Sequence, residues 1–246
     1  MVGSSGRSVS DVERNIAAYM TIARRPSAVV CDMDGLLVDS ERMERRVWQG
    51  VARELGIELS DDRFATFVGH SGDSNDALLR HYFGEGFDVP RFRAMCHHGF
   101  GELVSSEGVA LRPGAREWLA FVSELGLPLG LATSSGPVAV QERLDGLLHL
   151  FAAVATRADV EHGKPHPDLY LEAAARLGVA PGTALAIEDS PAGTQAALAA
   201  GMPVVVIPDL IAPPDEIVPR VAAVFPSLDE LREVVAASWS VASPAT

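Results

Sequence analysis

Two cysteines in 246 residues are too few for a disulfide framework, and neither Cys31 nor Cys96 has a partner at metal-ligand spacing. Both are expected as free thiols in a reducing compartment. No run of about 18 apolar residues occurs, so no segment is expected to span a bilayer. Met1 to Ser10 is small and polar and lacks the apolar core of a secretory signal, which makes the cytoplasm the expected location. Basic residues are the minority, 20 Lys and Arg against 33 Asp and Glu, for a net charge of −13. With no basic patch, nucleic-acid partners are not expected. Internal repeats and any bias toward disorder are also missing. Hydrophobic residues make up 48% of the chain, enough to fill one large α/β domain, or a medium one with an insert. The acidic balance sets a condition: an anionic substrate would need a metal and local cations to overcome a repulsive field.

What the sequence does contain is a regular alternation. Ala28-Val29-Val30-Cys31 ends in Asp32, and Pro128-Leu129-Gly130-Leu131-Ala132 ends in Thr133. Thr183-Ala184-Leu185-Ala186-Ile187 ends in Glu188-Asp189, and Pro203-Val204-Val205-Val206-Ile207 ends in Pro208-Asp209. Short apolar runs closed by polar residues predict parallel strands buried on both faces. Helical patterns lie between them. One runs from Pro167 to Leu177 and stops at Gly178; another has Ser190 as N-cap, Pro191 at its first position and Gly201 as its stop. The reading is a doubly wound parallel α/β sheet, whose ligands bind beyond the carboxyl ends of the strands.

Residues 41–108 break the alternation: they are helical in pattern, charged, and free of buried-strand runs. The expected organisation is an α/β core formed by 25–40 and 109–246, a smaller all-helical domain at 41–108, and an N-terminal extension at 1–24. Within that extension, Val12, Ile16 and Tyr19 or Met20 could share one face of a short helix that docks on the main domain or on a second copy.

Candidate site residues collect at the strand ends. Asp32 and Asp34, two apart on extended chain, can face one substrate; their mutual repulsion would be relieved by a divalent cation. An ordinary acidic turn would read the same way. Glu188-Asp189 is a second carboxylate pair, and if the two pairs converge the oxygen-rich cluster favours Mg²⁺. Thr133, Ser134 and Ser135 precede a helix start near Pro137 and suit phosphate oxygens, though plain capping would account for them too. Lys164, stiffened by the prolines of Gly163-Lys164-Pro165-His166-Pro167-Asp168, could place one ammonium group, or could be a solvated lysine. His97 and His98 lack partners at metal spacing and read as surface residues.

Taken together, these residues resemble the haloacid dehalogenase superfamily of hydrolases. Asp32-Met33-Asp34-Gly35-Leu36-Leu37-Val38-Asp39-Ser40 is similar to its first motif, Leu131-Ala132-Thr133 to its second, Lys164 to its third and Glu188-Asp189 to its fourth. The phrases around Lys164 and Ile187-Glu188-Asp189-Ser190-Pro191-Ala192-Gly193 are close to the subgroup with β-phosphoglucomutase and small sugar phosphatases. That resemblance, over roughly residues 27–210, implies a phosphatase for a small phosphorylated metabolite, a sugar or polyol phosphate. Asp32 is the implied nucleophile, forming an aspartyl-phosphate, and Asp34 the implied acid and base. Mg²⁺ would be held by Asp32, the Asp34 carbonyl, Glu188 and Asp189. Gly35, Thr133, Ser134, Ser135 and Lys164 would bind the phosphoryl group, under a helical cap at 41–108. A monomer is the family's usual state.

Asp34 separates the chain from dehalogenases, which lack that carboxylate. A β-phosphoglucomutase-like mutase is the alternative, but Glu44 stands where mutases carry a His, and Gly72 where they carry a cap-loop Arg. A metabolite-binding protein without activity is a second alternative. Receiver domains of response regulators share an acidic Mg²⁺ pocket with a Thr and a Lys, but they are much shorter and lack both the helical insert and Asp34. Cys31, next to the nucleophile position, is expected to point into the core.

Overall fold

The computed structural model describes residues 22–68 and 72–240; the helix expected before residue 22 and the Gly69–Ser71 part of the cap loop lie outside that range. Six strands form one parallel sheet in the order β3-β2-β1-β4-β5-β6. They are β1 (Ala28–Cys31), β2 (Leu129–Ala132), β3 (Ala153–Ala155), β4 (Ala184–Glu188), β5 (Val204–Val206) and β6 (Ala223–Val224). Every residue of β1, β2, β4 and β5 is buried, as their composition, apolar but for Glu188 at the end of β4, leads one to expect. Alternate residues along each strand face opposite sides. Val29, Cys31, Leu185 and Ile187 enter one hydrophobic cluster with Trp118 and Trp239. Ala28, Val30, Ala184 and Ala186 enter another with Tyr170 and Ala173. The first face is covered by α5 (Ala115–Glu124) and α9 (Leu228–Ser240), the second by α7 (Asp168–Leu177) and α8 (Pro191–Ala199). Helices on both faces make the sheet doubly wound.

Register sets the level of the site. Cys31 lies beside Leu131 on one side and Ile187 on the other, so Asp32, Thr133 and Glu188 emerge from three adjacent central strands at about the same height. The Asp32 amide bonds to the Ile187 carbonyl at 3.0 Å. The chain then turns tightly, with the Gly35 amide on the Val38 carbonyl at 2.9 Å.

Four helices follow this turn: α1 (Ser40–Glu54), α2 (Asp61–Ala65), α3 (Gly72–Phe83) and α4 (Val89–Glu107). Ser60 caps α2 by accepting from the Arg63 amide at 3.3 Å, and Asp88 caps α4 by accepting from the Arg91 amide at 3.0 Å. Their apolar faces share a separate hydrophobic cluster centred on Trp48, which meets Phe64 and Phe92 edge-on at 5.8 and 5.3 Å. Leu210 and Ile211, from the loop after β5, pack against that cluster from the core side. The helical segment leaves and rejoins the core at one place: the Asp39 amide bonds to the Ala110 carbonyl, and the Arg112 amide to the Leu37 carbonyl, both at 2.9 Å. Arg42 and Arg112, one on each crossing, meet the buried Asp209 at 2.8 and 2.7 Å.

No helix among the described residues is long and apolar enough to cross a membrane. Cys31 is buried in the sheet core as expected, and burial pushes its thiol up to about 12.

Candidate active site

The three central strands bring Asp32, Glu188 and Asp189 together, each offering a carboxylate oxygen within 4.8 Å of the others. All three are buried. Lys164 reaches them from the loop before α7; its Nζ donates to Asp32 Oδ1 and, at 2.6 Å, to Glu188 Oε1. Its side chain is 2% exposed, so the solvated-lysine reading does not apply. Burial disfavours the ammonium, but the two carboxylates outweigh that penalty and raise the lysine above its ordinary range.

Glu188 is the most heavily engaged member. Oε1 also accepts from the Tyr170 hydroxyl at 2.7 Å, while Oε2 accepts from the Asp189 amide, the Ser190 amide and the Ser190 hydroxyl at 3.0, 3.1 and 3.0 Å. Lys164 above all, with the Tyr170 and Ser190 donors, holds it below the ordinary carboxylate range despite its burial. Asp189 is the converse. Burial and the neighbouring Glu188 and Asp32 raise it well above the ordinary value, and its buried Oδ1 has no partner among the described residues. Asp32 is lifted by burial to about 7, against the pull of Lys164 and with Glu188 and Asp34 adding to the rise. Ser190 does what its position predicts and caps α8, accepting from the Gly193 amide at 3.1 Å.

Two glycines make room for these carboxylates. A Cβ on Gly35, whose φ is +84°, would lie 2.2 Å from Asp189 Oδ2. One on Gly193 would lie 1.8 Å from Glu188 Oε1. Gly35 thus stands against Asp189, the cluster's second strand-end acid.

Asp34 faces a different set of partners. Oδ1 accepts from Ser40 Oγ and from Arg143, at the end of α6 (Pro137–Arg143); Oδ2 accepts from Ser135 Oγ at 2.7 Å and weakly from Thr133 Oγ1 at 3.4 Å. Burial would raise Asp34, but Arg143 and the two serine hydroxyls overcome it and hold the carboxyl low. Thr133 is fully buried and its Oγ1 accepts from the Ser135 amide at 3.0 Å, while Ser134 Oγ is buried without a partner among the described residues.

A cavity of about 230 Å³ opens above this floor. Asp32, Lys164 and Ser135 line it from the core, and Glu44, Phe67 and Asn75 from the helical segment. Asn75 is buried and its Oδ1 has no partner among the described residues.

Sequence reasoning passed over Arg143, Tyr170 and Asn75. Tyr170 was legible only as an apolar-face residue of its helix, and its hydroxyl contact depends on how closely α7 packs. Arg143 lies a helix away from the Thr133 strand end, and nothing in its spacing marks it as Asp34's partner. His98 is exposed and meets Glu102 at 3.4 Å.

The family model of the haloacid dehalogenase-like hydrolases matches residues 26–201. Hexitol phosphatase B of Escherichia coli (strain K12) is 33% identical over 223 residues, covering 88% of this chain and 98% of its own. The phosphorylated carbohydrates phosphatase of Thermotoga maritima is 33% identical over 177 residues, 71% of this chain and 82% of that one. Among solved structures, a HAD family hydrolase from Deinococcus radiodurans R1, crystallised with bound phosphate and sodium, has 31% identity and a TM-score of 0.69 over 89% of this chain and 98% of that one.

Proposed function

The chain belongs to the haloacid dehalogenase-like hydrolase family, and from that premise we propose that it is a Mg²⁺-dependent phosphatase of a small sugar or polyol phosphate, working through an aspartyl-phosphate. The observation that carries the reading is the buried Asp32, tied to Lys164 and set beside Glu188 and Asp189 at the floor of the cavity. The names of the two phosphatase relatives support the substrate class.

The donor set fits the metal. Three buried carboxylates against one lysine leave an excess of negative charge out of reach of water, and Asp189 Oδ1 lacks a partner among the described residues. An all-oxygen set of this kind suits a hard divalent cation. Asp32, Asp189 and the Asp34 carbonyl would hold Mg²⁺ directly. Glu188, whose oxygens are occupied by protein donors, would act through water and by fixing Lys164. The bound ion would neutralise Asp32 toward an incoming dianion and polarise the phosphoryl group.

The chain's own residues then divide the work. Asp32 Oδ attacks phosphorus, the P–O bond to the alcohol breaks, and Asp34 delivers the proton to the leaving oxygen. Asp34 then takes a proton from water, which attacks phosphorus and releases Asp32 and inorganic phosphate. Lys164, the local cation that the acidic surface makes necessary, would hold the remaining oxygens together with the hydroxyls of Thr133, Ser134 and Ser135. The helical segment at 41–108 serves as the cap and excludes water when seated. Glu44 at the cavity wall gives a second sugar-bound phosphate a carboxylate to face, which favours hydrolysis over the mutase reaction.

The test is phosphate release from a panel of metabolite phosphates with Mg²⁺, beside Asp32→Asn. Release should fall by about 10⁴-fold or more in the variant with its circular dichroism unchanged; retained turnover would remove Asp32 as nucleophile. Conversion of β-glucose 1-phosphate to glucose 6-phosphate without release would make the protein a mutase, and silence in both assays a metabolite binder.

A further inference from the structure

The ammonium of Lys164 carries three hydrogens, and two of them are engaged inside the protein. One donates to Asp32 Oδ1 and one, at 2.6 Å, to Glu188 Oε1. Where the third can point depends on Tyr170. It is the third residue of α7, on the buried face with Leu169, Ala173 and Ala174. The cluster it joins is rich in alanine, Ala132, Ala155, Ala186 and Ala196 among them, which leaves depth for one large ring. The ring centroid is 5.3 Å from Lys164 Nζ. Lys164 lines the cavity while Tyr170 is fully buried, so the ring covers the inner side of the ammonium. The hydroxyl reaches past it to Glu188 Oε1 at 2.7 Å. That oxygen then has two donors for its two lone pairs, and Oε2 is occupied by the Asp189 and Ser190 donors. Glu188 has no lone pair left to draw a second hydrogen from the lysine.

Building on the phosphatase reading, we propose that Tyr170 is a positioning residue that aims Lys164 at the phosphate. Its ring closes the inner side of the ammonium, and its hydroxyl fills the second lone pair of Glu188 Oε1. The third N–H is left to the cavity, where a phosphate oxygen accepts it. Phenylalanine at this position keeps the ring but leaves a lone pair of a buried carboxylate open beside the lysine. The ammonium then settles further onto Glu188, because a charge-assisted bond to an unfilled acceptor is the strongest one within reach. Leucine opens the inner side as well and removes the attraction between ring and cation. Of the two groups that Tyr170 meets at the site, the lysine is the one assigned to the phosphate, so its effect on phosphate passes through Lys164.

Calorimetric titration with inorganic phosphate, in saturating Mg²⁺, reads the third N–H without requiring turnover. Tyr170→Phe should weaken phosphate by about tenfold, the scale of one charge-assisted hydrogen bond made badly. Mg²⁺ affinity, titrated without phosphate, should stay within about twofold, because the acids keep their places. Tyr170→Leu should weaken phosphate further. In a Lys164→Met background, Tyr170→Phe should change phosphate affinity by less than about twofold, since no ammonium remains to be aimed. Melting curves establish that each variant is folded at the temperature of titration. Unchanged phosphate affinity in Tyr170→Phe would overturn the assignment, as would an equal loss with and without Lys164. So would a fall in Mg²⁺ affinity matching the fall for phosphate, which would put the effect on Glu188 and its acidic neighbours; that comparison decides alone if Lys164→Met does not fold. Binding is read apart from turnover. A parent protein that binds phosphate but releases none from any metabolite would end the phosphatase reading, while the same titrations would still decide the role of Tyr170.

Discussion

Replacing Gly193 with alanine should lower the melting temperature substantially, against the rule that alanine is the better helix former. Propensity alone predicts a gain of about 1 kcal/mol inside α8. The added Cβ, however, would lie 1.8 Å from Glu188 Oε1 and 2.1 Å from its Cδ. The end of a glutamate usually swings aside at little expense. This one accepts five hydrogen bonds, from Lys164, Tyr170, the Asp189 and Ser190 amides and the Ser190 hydroxyl, and it is fully buried. Displacing it takes a carboxylate from a buried lysine, a loss of about 3–5 kcal/mol for a broken buried pair. Net of propensity, the deficit is about 2–4 kcal/mol, or roughly 5–15 °C for a chain of this size. Gly101 in α4, with nothing within 4 Å of its added Cβ, is the control: Gly101→Ala should gain about 0.5–1 kcal/mol. Thermal melts followed by circular dichroism measure both. A Gly193→Ala protein melting at or above the parent would refute the claim that Glu188 is immovable.

Removing divalent metal with EDTA should stop phosphate release, with Mg²⁺ restoring it; turnover in the metal-free protein would deny the Asp32 and Asp189 cluster its assigned ion. Asp209→Ala should weaken the fold by about 2 kcal/mol in urea titration, less than a fully buried pair would lose because Arg42 can rehydrate; an unchanged midpoint would mean that the two crossings do not depend on it. Asp159 is held down to about 2 by hydrogen bonds from Thr156 and by Arg176. A depressed carboxyl contributes stability that is complete above its unfolded value, near 4, and is lost as pH falls toward 2. With its side chain 27% exposed, the screened contribution is about 1 kcal/mol. The stability gap between the parent and Asp159→Asn should therefore narrow by about half between pH 6 and pH 3; a constant gap would show that the carboxylate charge is not what stabilises.

Four of the six strands were readable because burial on both faces leaves each an apolar run, broken only by Glu188 at the end of β4. The other two, Ala153–Ala155 and Ala223–Val224, escaped notice. They are the two edge strands, only partly buried and built largely of alanine, a residue that marks no strand. Helix α8 was legible from Ser190, Pro191 and Gly201, since caps act locally. The positions of Asp32, Thr133, Glu188 and Asp189 were legible because strand ends in a parallel sheet share one edge; Lys164, on a loop, stood out through its proline-flanked phrase and the family resemblance. The partners of Asp34 were not. Ser40 lies six residues away and Arg143 more than a hundred, and their convergence depends on how α1 and α6 are seated. Asn75 belongs to the same class: only three-dimensional packing shows its amide facing a cavity.

The backbone pairing of 37–39 with 110–112 has a consequence for how the fold can vary. To the sheet, everything between those two crossings is the tip of a hairpin. The entropy of closing a loop grows only with the logarithm of its length, and here the ends are fastened by two main-chain hydrogen bonds and by Asp209. Helices can be lengthened, shortened or exchanged within that tip while the strand registers that hold Asp32 beside Glu188 stay as they are. On the proposed reading, the part that would meet the substrate's body is free to change, and the part that would meet its phosphate is not.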